Sequence, residues 1–157
     1  LLILTACGGD SGGDTTGPGG EEFSATLNGA SVVPASAATT SGRATFEAVG
    51  DSTLKFSLSV TNMTGITQAH LHTGAAGANG ALLVWLLPVN GSAAQAASVT
   101  LDGEISLGDI QSAWVRGTPR IAMDSVKALM RAGRAYVDVH TAAFPAGEIR
   151  GQVARAP

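Results

Sequence analysis

The chain contains three histidines, and they fall in two short segments of alternating residue character. His70 and His72 are separated by one residue, and Asp138 and His140 have the same spacing. On a β-strand, residues two apart point to the same face, with Cα atoms about 6.5–7 Å apart. The apolar residues between them then take the opposite, core face. If the two segments are neighbouring strands, the three imidazoles converge on one face of a sheet.

Three converging imidazoles form a ligand set that suits Zn²⁺ or Cu²⁺. Asp138 is placed to act as a fourth ligand or as a hydrogen-bond acceptor behind a ligand, and Glu148 is a further candidate ligand. Such a site would fit a protein of metal storage, delivery or redox defence. The alternative is structural: a histidine beside a Gly-rich turn often only hydrogen-bonds a carbonyl group, and an imidazole on a solvated strand face needs no ligand.

Other catalytic patterns are missing from the sequence. The Gly-rich segment 74–80 lacks the Lys-Ser/Thr pair of a phosphate-binding loop and is followed by a strand-like pattern. No nucleophile-elbow pattern is present, and the spacing of Asp138 and Glu148 does not by itself support a pair of catalytic carboxylates. The sequence therefore identifies no reaction. The enzyme hypothesis that these residues permit is a metal-centred, dismutase-like activity.

Alternation of apolar and polar residues predicts short β-strands along most of the chain. The clearest two strands are separated by Gly50 and Asp51, which predicts an antiparallel hairpin. Trp85 lies in an apolar run and is assigned to the core, whereas Glu148 and Arg150 alternate with apolar residues and are assigned to the surface. The predicted strands cover residues 23–27, 42–49, 54–60, 67–73, 81–87, 99–105, 135–140 and 148–153.

Helical signals are confined to the later part of the chain. Asp109 is suited to begin a short turn that runs towards Gly117. Asp124 is predicted to cap the N-terminus of a second helix, and Gly133 to follow its last turn. The sequence therefore predicts an all-β fold, a β-sandwich or barrel with one or two short helices.

Three pairs of segments together resemble the CHRD domain, a family named for its repeats in chordin and common in exported bacterial proteins. They read LNGASVVP and SGRATF (27–34 and 41–46), AHLHTG and GANG (69–74 and 77–80), and YVDVHT and PAGEIRGQ (136–141 and 145–152). The resemblance covers about residues 22–154, which is the expected domain, and departs from the family pattern at Asp138, where Asn is frequent. It implies an immunoglobulin-like β architecture outside the cytoplasm but little about chemistry.

The N-terminal residues predict a processing signal rather than part of the fold. A bulky apolar run ends in LTAC (4–7), which resembles the bacterial lipobox. The resemblance implies cleavage before Cys7 and acylation of that residue, which would anchor the domain to a membrane. Residues 1–7 are therefore expected to be a signal-peptide remnant, and residues 8–21 a flexible Gly-rich tether. The alternative is a free cysteine in an apolar segment.

Composition and charge indicate one globular domain. Hydrophobic residues make up 45% of the 157 residues and charged residues 13%, which is too apolar for a disordered chain. Basic residues form no run, so nucleic acid is not an expected partner. A single cysteine excludes an intramolecular disulfide.

These observations predict an extracytoplasmic, lipid-anchored binding or structural module. Gly8, rather than Asp, follows Cys7, which favours the outer membrane or the cell surface as its location. An envelope protein or a polysaccharide is the expected partner besides the membrane. A copper or zinc protein that uses His70, His72 and His140 is the alternative.

Overall fold

The computed structural model describes residues 20–87, 98–110 and 123–157. The lipobox with Cys7 and most of the expected tether lie outside the described residues. The same holds for most of the predicted turn from Asp109 to Gly117.

The described residues form strands and one α-helix. The helix α1 (Met123–Arg131) lies between the sixth and seventh strands, and a 3-10 turn (Gly29–Ser31) follows the first. The strands are β1 (Glu22–Asn28), β2 (Ser41–Val49), β3 (Thr53–Thr61), β4 (Ile66–Thr73), β5 (Leu82–Leu87), β6 (Ser98–Ile105), β7 (Ala135–Thr141), β8 (Ile149–Gln152) and β9 (Ala154–Arg155).

All strand pairs are antiparallel, and together they form a sheet that almost closes on itself. The order is β5-β4-β7-β8-β1-β2-β3-β6, with β9 beside β1. Val84 in β5 forms an antiparallel bridge with Ile110, five residues after the end of β6, so the two ends of the sheet meet. The all-β prediction is confirmed: the described part of the chain is a nearly closed barrel with a single short helix.

The predicted alternation places one face of each strand inside the barrel. Phe23 and Phe46 lie directly opposite each other on β1 and β2, and both are buried. Leu71 on β4, Val137 on β7 and Ile149 on β8 are fully buried in the same core. Removing such a side chain from water contributes about 1.5–3 kcal/mol, so this interior fixes which face each strand turns outward.

The helix and its ends agree in part with those predicted from the sequence. Gly133 has φ +63°, and its N–H donates to Met130 O at 3.1 Å, so it closes the helix as predicted. Asp124 is not the N-cap as predicted, because the helix already includes Met123 and Asp124 lies in its first turn. A carboxylate there is still favourable, since it faces the positive end of the helix dipole. No helix in the described ranges is long and apolar enough to cross a membrane.

Candidate metal centre

Strands β4 and β7 are neighbours, and this pairing brings the three histidines together as predicted. His70 lies directly opposite Asp138, while His72 and His140 lie on the two sides of that pair along their strands. The intervening residues face the core, so all four side chains share the outer face of the barrel. His70 is nevertheless buried, with 5% of its surface exposed. The alternative of freely solvated histidines therefore does not hold for this residue.

Trp85 on β5 covers one side of the cluster. It is paired with His70 in the β4–β5 register, and the two ring centroids are 4.4 Å apart in an edge-to-face arrangement. The assignment of Trp85 to the core is therefore wrong. Its neighbours in β5, Val84 and Leu86, are the buried ones, and a continuous apolar run gives no alternation from which the face can be read.

The Asp138 carboxylate lies at the centre of the cluster. Asp138 Oδ1 is 3.1 Å from His70 Nδ1 and 3.2 Å from His140 Nε2, and Oδ2 is 3.4 Å from His72 Nε2. The Nε2 atoms of all three histidines are buried and have no aligned hydrogen-bond partner among the described residues. Buried polar atoms in proteins are normally hydrogen-bonded, so these three nitrogens need an explanation.

Backbone carbonyls determine which ring nitrogen carries the proton in two of the histidines. His72 Nδ1 donates to Gly80 O at 3.2 Å, and His140 Nδ1 donates to Pro145 O at 3.0 Å. A carbonyl oxygen can only accept, so both rings are protonated at Nδ1. In their neutral forms Nε2 then carries the lone pair, and in each ring it lies within 3.4 Å of the Asp138 carboxylate. Metal-ligating histidines are likewise held by a hydrogen bond from the other ring nitrogen.

The electrostatics of the cluster are governed by burial and by Asp138. Burial alone would raise the pKa of Asp138, but close contact with His140, His70 and His72 outweighs it and holds that pKa well below its usual range. Burial lowers the pKa of His70, and Asp138 offsets only part of the effect. For His140 burial also acts to lower the pKa, but Asp138 outweighs it and the pKa is raised. The carboxylate is therefore charged, and the neutral imidazole is favoured at His70.

The spacing of the donors fits a small divalent metal ion. Donor atoms of His70, Asp138 and His140 all lie within 4.8 Å of one another, so this group could hold a metal. His72 lies outside this group of three, and its Nε2 is 3.4 Å from the other carboxylate oxygen, Asp138 Oδ2. In a tetrahedral zinc site with bonds of about 2.0–2.1 Å, neighbouring ligand atoms are about 3.3 Å apart. The carboxylate–imidazole separations already have this size.

Comparison with known protein families gives one match, to the CHRD domain over residues 23–153. The chain belongs to the CHRD domain family. Among curated proteins no match is found. Membership suggests a structural or binding module and carries no particular reaction.

Glu148, the remaining candidate ligand, is held by hydroxyl groups elsewhere in the CHRD domain. Its carboxylate accepts hydrogen bonds from Thr40 Oγ1 at 2.7 Å and from Thr141 Oγ1 at 2.6 Å, and its backbone carbonyl accepts one from Ser36 Oγ at 2.6 Å. The predicted surface position is wrong, since only 6% of the residue is exposed. The segment before β2 folds over the end of β8 and replaces water around the carboxylate.

Arg150 was also assigned to the surface, and the CHRD domain buries it to 3% exposure. It is paired with Asp138 in the β7–β8 register and therefore lies on the same outer face as the histidines. Its guanidinium group donates to the Gly-rich loop 74–80 and lies 3.5 Å above the centroid of the Tyr136 ring. The sequence gives a weak signal for this burial: a glycine-rich loop has backbone carbonyls that need donors.

Proposed function

We propose that this CHRD domain binds a divalent transition metal, with Zn²⁺ as the first candidate, between His70, His72, His140 and Asp138. The observation that carries the proposal is the placement of two partly buried imidazoles whose Nε2 atoms are themselves buried. His72 and His140 each donate the Nδ1 proton to a backbone carbonyl, and each places Nε2 within 3.4 Å of the same carboxylate. A cation between these atoms satisfies every one of them.

Protonation is the competing way to satisfy the same atoms. His140, whose pKa Asp138 raises, can pair with that carboxylate as an imidazolium. This leaves the buried Nε2 atoms of His70 and His72 without a partner among the described residues. A second imidazolium beside that of His140 would leave a net positive charge in a largely buried site. Burying a net charge costs several kcal/mol, and the cost grows with each unpaired ion. A divalent metal supplies the same positive charge while forming direct bonds to the nitrogens, so metal binding is favoured near neutral pH.

The donor set favours zinc over copper. Three nitrogens and one carboxylate oxygen make a closed set of four, which is usual for zinc, an ion without a geometric preference of its own. Cu²⁺ is the second candidate because imidazoles also suit it, although it prefers a flatter, tetragonal arrangement. A role in redox defence requires copper and an open coordination position, whereas zinc supports storage or a structural role.

A metal titration of the chain tests the proposal. The Cys7→Ser variant is used throughout, because the thiol of Cys7 would itself bind zinc or copper. We expect submicromolar affinity for Zn²⁺ in competition with a chromophoric chelator at pH 7.5. The variants His70→Ala, His72→Ala and His140→Ala should each weaken binding by at least about tenfold. The control is Asp102→Asn, which removes an exposed carboxylate from β6, on another part of the barrel.

The outcomes separate a metal protein from a barrel with structural histidines. With zinc at about 100 times its Kd, the free energy of unfolding should rise by about 2.7 kcal/mol through mass action. Weak binding that the three histidine variants share with the parent chain would overturn the proposal. The histidines would then serve to hold Gly80 and Pro145, and the function would have to be sought in a macromolecular partner.

We further propose that the domain is exported and anchored through a lipid on Cys7, at the outer membrane or the cell surface. The lipobox-like LTAC segment and the Gly-rich segment that follows support this placement. Expression in a bacterial host with a labelled fatty acid tests it. We expect label in the membrane fraction for the parent chain and neither label nor membrane association for Cys7→Ser.

A binding role towards an envelope protein or a polysaccharide is proposed as the function of the anchored module. Family membership supports a binding or structural module of this kind. Cross-linking in whole cells, followed by identification of the joined components, tests it with Cys7→Ser as the unanchored control. A specific component that is cross-linked only to the anchored chain would support the role. The same cross-linked components in the parent chain and in Cys7→Ser would overturn it.

A further inference from the structure

His72, one of the four donors, is in contact with a stack of side chains that extends across three strands. The imidazole of His72 lies parallel to the ring of Tyr136, with centroids 5.0 Å apart and an interplanar angle of 4°. The Cζ atom of Arg150 lies 3.5 Å from the centroid of the same tyrosine ring. Since β4 and β8 flank β7 on its two sides, Tyr136 connects the imidazole with the guanidinium.

The Gly-rich loop 74–80 forms a second connection between the same residues. Arg150 Nη2 donates to Ala75 O at 3.0 Å and to Ala78 O at 2.8 Å, and Nη1 donates to Asn79 Oδ1 at 3.2 Å. The planar guanidinium presents its donors in a fixed fork, so these three bonds hold the middle of the loop. Gln152 Nε2 also donates to Gly74 O at 2.8 Å, and Asn79 Nδ2 to Val33 O at 2.9 Å.

The end of this loop holds His72. The N–H of Gly80 donates to the Tyr136 hydroxyl at 3.2 Å, and Gly80 O accepts the bond from His72 Nδ1. Gly80 has no room for a side chain here, because an added Cβ would lie 1.6 Å from Thr73 O. The carbonyl that fixes the tautomer of His72 thus belongs to a residue that Tyr136 holds, and the loop residues just before it are bonded to Arg150.

We propose that Arg150 is the positioning residue of the metal centre, which fixes the orientation of His72 through Tyr136 and loop 74–80 and so controls how long the metal stays bound. The proposal rests on the proposed metal binding. Arg150 contacts neutral carbonyls, an amide and an aromatic ring, so its guanidinium group serves to hold the loop. When the loop is released, the Nδ1–H bond of His72 is lost and the ring is free to turn its Nε2 away.

Replacement of Arg150 tests the proposal in the Cys7→Ser chain. Arg150→Met should weaken zinc binding by about 10- to 100-fold, the usual effect of losing an outer group that orients a ligand. Most of the change should appear as faster zinc release to a chelator. The zinc affinity of Arg150→Lys should lie between those of the parent chain and Arg150→Met, because lysine keeps the charge but cannot form the fork. Arg131→Met, an arginine on α1 that pairs with Glu21, is the matched control and should leave zinc release unchanged.

A double-mutant cycle distinguishes positioning of His72 from a general loss of stability. In a His72→Ala background, Arg150→Met should change zinc affinity by less than about twofold, because the group that it positions is already gone. In a His140→Ala background the full effect of Arg150→Met should remain. A full effect in both backgrounds would overturn the proposal. If Arg150→Met does not fold, the same cycle is run with Arg150→Lys, and its effects on zinc affinity in the two backgrounds are compared in the same way.

A spectroscopic measurement reports on His72 directly and does not need the metal. The chain has three histidines, so ¹⁵N spectra of labelled protein resolve the tautomer of each ring. We expect His72 to be protonated at Nδ1 in the parent chain and to become a mixture of tautomers in the Arg150 variants, while His140 is unchanged. An unaltered His72 tautomer would contradict the proposal. Failure of the parent chain to bind zinc would instead overturn the proposed function.

Discussion

His70 and Asp138 lie directly opposite each other on β4 and β7, and the register of these two strands alone brings His70 Nδ1 within 3.1 Å of Asp138 Oδ1. The same carboxylate reaches His72 and His140 on either side. One acidic residue at the centre of three imidazoles therefore determines the charge that the cluster can hold. Removing the charge of Asp138 while keeping the shape of its side chain is the most direct test of the proposed metal binding.

Asp138→Asn should weaken zinc binding by at least about 100-fold. The substitution keeps the size of the side chain but removes a ligand charge, so its effect should reach or exceed the upper end of the loss caused by an outer orienting group. Competitive titration in the Cys7→Ser chain measures it. Asp102→Asn is the control for a general change of net charge. Equal affinities of the parent chain and Asp138→Asn would remove Asp138 from the ligand set.

Glu148→Gln should leave zinc affinity within about twofold of the parent value but lower the free energy of unfolding by about 1–3 kcal/mol. The reason is that its carboxylate is buried and accepts two short hydrogen bonds from Thr40 and Thr141, and an amide cannot accept both in the same way. Urea denaturation and metal titration of the same samples measure the two effects.

Thr40→Val provides the matched control for the Glu148 prediction. It removes one of the two donors without touching the carboxylate, so it should also destabilise the domain and leave the affinity unchanged. A loss of zinc affinity in Glu148→Gln that Thr40→Val does not share would return Glu148 to the ligand set.

The sequence predicted which face of β4 and of β7 carries the histidines and Asp138, because alternation along a strand has a fixed period. His70, His72, Asp138 and His140 all follow this rule, and the pairing of β4 with β7 needed only the assumption that the two strands are neighbours. The core residues Leu71 and Val137 follow it as well. These features are local in sequence, or depend on one strand pairing.

What the sequence did not predict depends on contacts between distant segments. Glu148 and Arg150 follow the alternation correctly, but alternation cannot tell whether the outer face is solvated or covered. Glu148 is covered by a segment more than 100 residues earlier in the chain, through Ser36 and Thr40, and Arg150 by the loop 74–80. The burial of Glu148 and Arg150 therefore comes from this covering and not from the strands that carry them.

Gly133→Ala should lower the free energy of unfolding by about 1–2 kcal/mol, because a left-handed backbone conformation brings Cβ of any L-residue close to a carbonyl oxygen. Gly133 has φ +63° and ends α1, and the space around it is open, so backbone strain is the main effect expected. Gly108→Ala, in an exposed turn without a left-handed φ, is the control. Urea denaturation of both variants checks the prediction, and equal stabilities would contradict it.

The ion pair between Glu21 and Arg131 should make a pH-dependent contribution to stability. Arg131 Nε donates to both carboxylate oxygens of Glu21, at 2.8 and 2.9 Å, which joins the start of the barrel to the end of α1. This hydrogen bond is the main cause that lowers the pKa of Glu21 below its ordinary value. The folded state therefore binds the Glu21 proton more weakly than the unfolded chain does. The contribution is present above the unfolded pKa of about 4.3 and is lost as the pH falls through the folded value.

Glu21→Gln should consequently lower the free energy of unfolding at pH 7 by up to about 1 kcal/mol, a small value because Arg131 is 47% exposed and solvent screens the pair. The difference between the parent chain and Glu21→Gln should shrink below about pH 4 and also in high salt. Urea denaturation at pH 7 and pH 3, each at low and high salt, measures it. A difference that persists unchanged at pH 3 would show that Glu21 stabilises the domain by packing, since its charge is by then largely neutralised.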